Sequence, residues 1–315
     1  MQYRDFGNTG IKVSEVGFGT WAIGSNQHGN SYGFVEEKTA LEALLKALEL
    51  GCNFFETADV YGWGHSEELL GRAFRGKRDR VVIASKVGSD FYQGVGFQTF
   101  SPEYIRFALE KSLGRLKTDY IDVYQLHNPP LKVINKPSTY EVLRELKKEG
   151  KIRAWGLSVF DQIEGFAALA VAKPDSLQVP FNVFNEKPGD ELFPKAREQG
   201  CAVIAREPLA NGFLTGKYKF ENQFELGDMR RNWPPTHIRA RVLAANQLQF
   251  LARAEQTLAQ SAIRYALSNE SVSVVIAGAK NAQQAEENLK SSDGQPLTRS
   301  ELEAIKELQS RHFGL

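Results

Sequence analysis

Five side chains in the first half of the chain have the chemistry to move a proton onto an oxygen: Glu56, Asp59, Tyr61, Lys86 and His127. Tyr61 lies in the stretch "NFFETADVYG" (53–62), with one acid five residues before it and another two before it. A phenol with an ordinary pKa near ~10 is a poor acid at neutral pH unless something stabilises its phenolate, and an adjacent ammonium does so directly. Lys86, after "VVIAS", can supply that ammonium. A carboxylate paired with the lysine would hold it charged and aimed. A neutral imidazole at His127, after "DVYQL", would orient a carbonyl oxygen or relay its proton. Such a set suits reduction of a carbonyl, with Tyr61 as proton donor and the hydride coming from a cofactor.

Side chains so far apart in sequence need a scaffold that brings them together. Short apolar runs recur at 16–19, 53–56, 80–85, 121–127, 153–158, 176–180, 202–206 and 272–278; they are β-rich and too short for helices, so they read as eight buried strands. Segments with helical spacing lie between them, such as "EEKTALEALLKALELG" and "STYEVLRELKKEG". Strand then helix, repeated, is the pattern of a parallel sheet. Gly51, Gly150 and Gly200 each close a helical segment immediately before a strand, and glycine suits the left-handed position that ends a helix. Eight units fit a (β/α)8 TIM barrel better than an open doubly wound sheet, which usually uses fewer strands. A barrel presents catalytic groups at the C-terminal ends of its strands, where Glu56, Lys86 and His127 fall on the second, third and fourth. Residues before Val16, with "GNTG" between two extended pieces, predict a β-hairpin covering the lower end. The long segment 215–243, after strand seven, predicts a lid or pocket wall on the opposite face.

Composition narrows the partners. The 39 basic and 38 acidic residues leave a net charge of +1 and are scattered, so no broad field gathers phosphate backbone or anionic lipid, and neither nucleic acid nor membrane is expected as a partner. Two cysteines, Cys52 and Cys201, do not make a disulfide scaffold and point to a reducing compartment. No secretory leader opens the chain and no apolar run approaches ~18 residues, so a cytoplasmic protein is expected. With no linker-like stretch, residues 1–315 read as a single domain. The histidines, His28, His65, His127, His237 and His312, show no metal-ligand spacing.

Several long motifs occur in fixed order: "YRDFGNTGIKVSEVGFGTW", "TADVYGWGHSEELLGRAF", "IASK", "SLGRLKTDYIDVYQLHNP", "IRAWGLSVF", "PLANGFLTGKY" and "VIAGAKNAQQAEENL". On these the sequence resembles the aldo-keto reductase superfamily over essentially its whole length, in the style of bacterial members that also resemble potassium-channel beta subunits. The resemblance implies that Tyr61, Lys86 and His127 are three members of a catalytic tetrad. The fourth is ordinarily an aspartate five residues before the tyrosine, and here that position is Glu56. Asp59 matches a loop position outside the tetrad and is expected to be solvated or locally hydrogen-bonded, with Glu56 rather than Asp59 on Lys86.

The same resemblance implies a nicotinamide cofactor, NADPH in preference to NADH, bound without the glycine fingerprint of dinucleotide folds. Ser158 and Gln178 match positions that hold the carboxamide; Val159 stands where an asparagine is common. Thr20, Trp21 and the segment containing Arg206, Glu207, Pro208, Leu209, Gly212, Leu214, Gly216 and Lys217 match further cofactor positions. Arg206 replaces an aromatic ring that stacks on the nicotinamide, and is expected to pair with Glu207 or with an anionic substrate group. Gly278 and Lys280 match the surroundings of the 2′-phosphate, and Gln284, Glu287 and Asn288 those of the adenine. Trp21, Trp63, Tyr92, Asn128 and Trp233 fall in loops on the catalytic face, where aromatic walls suit a small aldehyde, ketone or sugar. Alongside carbonyl reduction, the sequence leaves open a cofactor-binding regulatory protein of the channel-subunit type and a diverted lyase or isomerase, and it does not fix the oligomeric state.

Overall fold

The computed structural model describes residues 1–24, 28, 31–92 and 97–314. A short antiparallel hairpin, β1 (Tyr3–Asp5) and β2 (Lys12–Ser14), precedes the eight barrel strands. These are β3 (Val16–Gly19), β4 (Phe54–Glu56), β5 (Val82–Val87), β8 (Ile121–His127), β9 (Ile152–Ser158), β10 (Ser176–Pro180), β11 (Ala202–Arg206) and β12 (Val272–Gly278). They pair in parallel in that order and close when β12 meets β3. Between β5 and β8 lies a two-residue ribbon that periodicity does not reveal, β6 (Ser89–Asp90) with β7 (Phe97–Gln98). The predicted (β/α)8 barrel and its hairpin are thus both present.

Alternation along each strand sorts the side chains. Phe55, Ile83, Tyr124, Trp155, Leu177 and Val275 face outward to the helices, whereas Phe54, Val82, Val123, Ala154, Ile204 and Val274 fill the barrel. Phe6, Ile11 and Val13 of the hairpin join that interior cluster. Full burial of such side chains is worth about 1.5–3 kcal/mol each, so the hairpin is a plug at the lower end. Above the apolar layers the inward positions turn polar: Glu56, Lys86, Gln125, Ser158 and Gln178 are all buried.

The outer shell comprises α1 (Glu37–Glu49), α2 (His65–Ala73), α3 (Pro102–Leu116), α4 (Leu131–Ile134), α5 (Glu141–Lys148), α6 (Gln162–Val171), α7 (Leu192–Glu198), α8 (Pro235–Asn246), α9 (Leu258–Leu267), α10 (Ala282–Leu289) and α11 (Arg299–Ser310). Their ends follow local chemistry. Ser101 caps α3 by accepting from the Tyr104 amide, with Pro102 at its first position, and Thr257 with Gln260 forms a reciprocal capping box on α9. Gly51, Gly150 and Gly200 have φ of 87°, 76° and 71°, as their places before strands predict. Among the described residues no helix is long and apolar enough to cross a membrane.

The insertion after β11 packs across the mouth. Asp228 bridges to Ser31 and Tyr32, and the Met229 amide donates to the Ser31 carbonyl at 2.9 Å. Arg230, 5% exposed, pairs with Asp228 through two hydrogen bonds. It also donates to Tyr218 Oη and the Asn211 carbonyl, and lies about equally close to three rings, 4.5 Å from Tyr32, 5.0 Å from Tyr218 and 4.5 Å from Phe224. Ser31 and Tyr32, after the first barrel strand, and the insertion after the seventh are therefore one clasp.

Candidate active site

At the C-terminal end of the barrel, Lys86 points inward with 1% of its side chain exposed. Its ammonium has three acceptors: the carboxylate of Glu56, the Thr57 carbonyl at 2.8 Å and Tyr61 Oη at 2.9 Å. An ammonium has three protons to give, so all are used, and the phenol accepts rather than donates at this contact. That leaves the Tyr61 hydrogen free for another acceptor. Burial pushes the Lys86 pKa down and the Glu56 charge pulls it back up. The extra methylene of Glu56 is accommodated, and its Oε1 also accepts from Gln178 Nε2 at 3.3 Å. Thr57 O has no signature in sequence, since every residue carries a carbonyl.

The phenol behaves differently from the simple expectation. Burial, followed by the Glu56 charge, raises the Tyr61 pKa well above its ordinary value, while Arg206 lowers it. Loss of hydration outweighs the neighbouring cations, so the phenol stays protonated at neutral pH. His127 lies edge-on to Tyr61 with ring centroids 5.9 Å apart. Burial, with Lys86 and Arg206 adding like-charge repulsion, keeps its imidazole well below the usual pKa and hence neutral.

Asp59 is not where a solvated loop acid would be. It is fully buried, and neither carboxylate oxygen makes a hydrogen bond among the described residues. Its backbone amide donates to the Lys86 carbonyl at 3.2 Å, and the charges that act most on its side chain are Glu67 and Arg115 of the outer helices. There Glu67 takes the available cation, accepting from Arg115 Nε at 2.7 Å and from Ser85 Oγ at 2.5 Å. Burial, then Glu67, raises the Asp59 pKa well above the carboxylate range, with Arg115 opposing. The expectation that Lys86 pairs with Glu56 and not with Asp59 holds; the expectation that Asp59 is solvated does not, and the local support left to it is the adjacent Val60 backbone.

Other strand ends complete the rim. Ser158 Oγ donates to Asn128 Oδ1 at 3.2 Å, and Asn128 has φ 52°. Arg206 pairs with the adjacent Glu207 carboxylate and donates to the Val159 carbonyl at 3.2 Å. Glu207 adopts φ 59° to do so, in a loop where Gly212 and Gly216 are also left-handed and Leu214 is buried. Pro208 and Leu209 carry the turn, and Lys217 lies beyond it, exposed. Trp21 meets Tyr32 edge-on at 4.8 Å, whereas Thr20 is fully buried with its hydroxyl on Ser66. Gln178 Oε1, His127 Nδ1 and Arg206 Nε are buried without protein partners among the described residues. These are donors and acceptors of the kind a carboxamide ring needs.

On the last strand, Gly278 accepts from Asn288 Nδ2 at 3.0 Å. The Lys280 ammonium lies on the Tyr32 carbonyl of the clasp, while its amide donates to Gln284 Oε1 at 2.9 Å. Glu287 accepts from Thr257 Oγ1 at 2.9 Å. Of the aromatic candidates, Trp63 has φ 55°, a strained conformation for a bulky residue, and is sandwiched between His28 at 4.1 Å and Phe91 at 5.7 Å. Tyr92 stacks on Phe91 at 4.2 Å and accepts from Arg115 at 2.6 Å. Trp233 lies on the insertion, stacked on His237 at 4.9 Å, and is separate from the Trp63 stack. Sequence reading passed over Tyr32, Tyr218 and Arg230, because an aromatic or arginine in a polar insertion carries no periodicity.

Known proteins settle the family. The sequence pattern described as "Aldo/keto reductase family" matches residues 15–310. The chain belongs to the aldo/keto reductase family. It is 37% identical to "Aldo-keto reductase YhdN" of Bacillus subtilis, over 91% of this chain and 87% of that one. It is 30% identical to the "NADH-specific methylglyoxal reductase" of Escherichia coli, over 92% and 93%. Among solved structures, the holo form of aldo-keto reductase AKR11C1 from Bacillus halodurans matches with a TM-score of 0.80 and 31% identity, over 98% of this chain and 96% of that one. As a member of the family, the chain is an NAD(P)H-dependent oxidoreductase of carbonyl compounds and alcohols.

Proposed function

We propose that this chain reduces an aldehyde or ketone to its alcohol, reversibly, as one barrel domain spanning residues 1–315, with Tyr61 as proton donor and NADPH preferred over NADH. The observation that carries this reading is the three-acceptor ammonium of Lys86, which fixes Tyr61 Oη at 2.9 Å and leaves the phenol hydrogen unused. A bound nicotinamide would supply the hydride; Ser158, Gln178 and Arg206 are the residues to hold it.

The proton side follows from the chain's own groups. A carbonyl oxygen placed between Tyr61 and His127 accepts the phenol hydrogen and, from a neutral imidazole, a second hydrogen bond. As negative charge moves onto Tyr61 Oη, the Lys86 ammonium is already in contact with it and needs no rearrangement, which is where fixed charge lowers a barrier most. Glu56 keeps that ammonium protonated. The Glu56 and Lys86 pair is almost wholly buried, where solvent screens its charges little and each of these interactions is stronger than in water. Lys280 favours a cofactor bearing a further phosphate, although the Escherichia coli relative is named as NADH-specific. The Trp63, Phe91 and Tyr92 wall suits a small carbonyl compound or sugar.

The test is loss of reduced cofactor, monitored with NADPH and with NADH, over aldoses, ketoses, small aldehydes and oxoacids. Tyr61→Phe is expected to lower turnover by about 10²-fold or more with cofactor binding retained. Cofactor binding without turnover on any carbonyl, or full activity in Tyr61→Phe, refutes the proposal.

A further inference from the structure

Beneath the Glu56 and Lys86 pair, one row of the barrel interior is unexplained by the reaction. Lys86 of β5, Gln125 of β8, Gly156 of β9 and Ser176 of β10 are successive partners across the sheet. Gln125 and Ser176 share the inward parity of Val123 and Gln178 and are fully buried. Neither amide atom of Gln125 nor Ser176 Oγ has a protein partner among the described residues. Gly156 separates them on β9, and a Cβ there would meet Ser176 Oγ at 2.2 Å and Ser176 O at 2.3 Å, so Ser176 lies against the glycine backbone and that strand sends no side chain between the two polar groups. Two residues further along the same face of β10, Gln178 commits its amide nitrogen to Glu56 and leaves Oε1 unpaired.

Buried polar atoms are rarely left unpaired. A cation would satisfy only the acceptors of this set and an anion only the donors. Water alone among small ligands offers two donors and two acceptors, and internal waters typically bind two to four buried groups. We infer that the barrel holds a buried water bound by Gln125 and Ser176 directly under the catalytic pair, donating to one lone pair of Gln178 Oε1 and leaving the other for the cofactor carboxamide. It extends the chain of hydrogen bonds from Gln178 through Glu56 and Lys86 to Tyr61, and supports a glutamate that is one methylene longer than the usual aspartate. Gln125 and Ser176 are positioning residues in this scheme. The kinetic consequence rests on Tyr61 being the proton donor; the water site itself does not.

A high-resolution crystal structure of the whole chain tests the site directly. Ordered solvent density within hydrogen-bond distance of Gln125 and Ser176 Oγ is expected; the Gln125 amide bonded instead to protein atoms, with no density, overturns the inference. For the positioning role, Ser176→Ala and Gln125→Leu are each expected to lower turnover about tenfold or more and to shift the pH profile of turnover, with NADPH affinity unchanged. Ser176→Ala removes one oxygen and serves if Gln125→Leu fails to fold. Unaltered pH profiles with the density lost refute the positioning role. A wild-type protein that reduces no carbonyl refutes the proposed function and leaves the crystallographic test of the water intact.

Discussion

Glu56→Gln isolates the charge that holds the site together. The substitution keeps the shape of the side chain and removes the carboxylate that pairs with Lys86 among the described residues. Both partners are almost wholly buried, 1% and 4% exposed, so solvent does not screen the loss as it would at a surface. Two acceptors remain on the ammonium, Thr57 O and Tyr61 Oη, but neither is charged. Breaking a buried pair on one side costs about 3–5 kcal/mol. The sign with pH follows from Lys86. Its folded pKa is already depressed by burial and held up by Glu56, so the variant's lysine titrates lower still. Below that lowered pKa the native variant carries the full cost of an unpaired ammonium. As pH rises from there to the wild-type lysine's pKa, the variant sheds its proton and the gap narrows by up to about 1.4 kcal/mol per pH unit. Urea unfolding of both proteins from about pH 6 to about pH 9 reads this directly. A gap below about 1 kcal/mol at the acid end, or one that widens with pH, refutes the argument that Glu56 is the counter-charge of a protonated Lys86.

Asp59→Asn is expected to act in the opposite direction. Wild type must retain on buried Asp59 a proton that the unfolded chain releases above about pH 4, so its stability falls with rising pH by up to about 1.4 kcal/mol per unit until the folded pKa is reached. Denaturant titrations should therefore show the variant gaining on wild type as pH rises, and a pH-independent difference rules this out. Lys280→Met is expected to weaken NADPH about tenfold, the worth of one charge-assisted hydrogen bond, and NADH much less; equal losses by fluorescence titration count against the 2′-phosphate assignment. Arg206→Tyr removes the partner of Glu207 and should change the ratio of kcat/KM between anionic and neutral carbonyl compounds. An unchanged ratio leaves Arg206 without a role in substrate choice.

The barrel was legible because each of its strands is a short apolar run and each has a distinct end. Strands at 176–180, 202–206 and 272–278 fall on the residues expected, since burial on both faces leaves no ambiguity about where polar neighbours stop the run. Tyr61, Lys86 and His127 were legible for a related reason: the topology alone brings the ends of β4, β5 and β8 side by side. The burial of Asp59 was not legible because its surroundings come from α2 and α3, whose Glu67 and Arg115 pair with each other and leave it no side-chain hydrogen-bond partner among the described residues. A strand pattern says which face a loop residue leaves by, but not which helix side chains have already been used. The backbone acceptor at Thr57 and the aromatic enclosure of Arg230 were hidden likewise, one because carbonyls are common to all residues and the other because its members lie at 32, 218, 224 and 230.

The clasp between residues 31–33 and 228–230 bears on how the pocket can be redesigned. Arg230 draws its partners from both loops, and Lys280 is tied to the first of them. A graft that exchanges the insertion alone, as loop-swapping for a new substrate would do, leaves Tyr32 without the guanidinium against its ring and frees the segment over Lys280. The two loops are a single unit of inheritance for engineering purposes: exchanging one without the other breaks the contacts of Arg230 and Lys280 that join them.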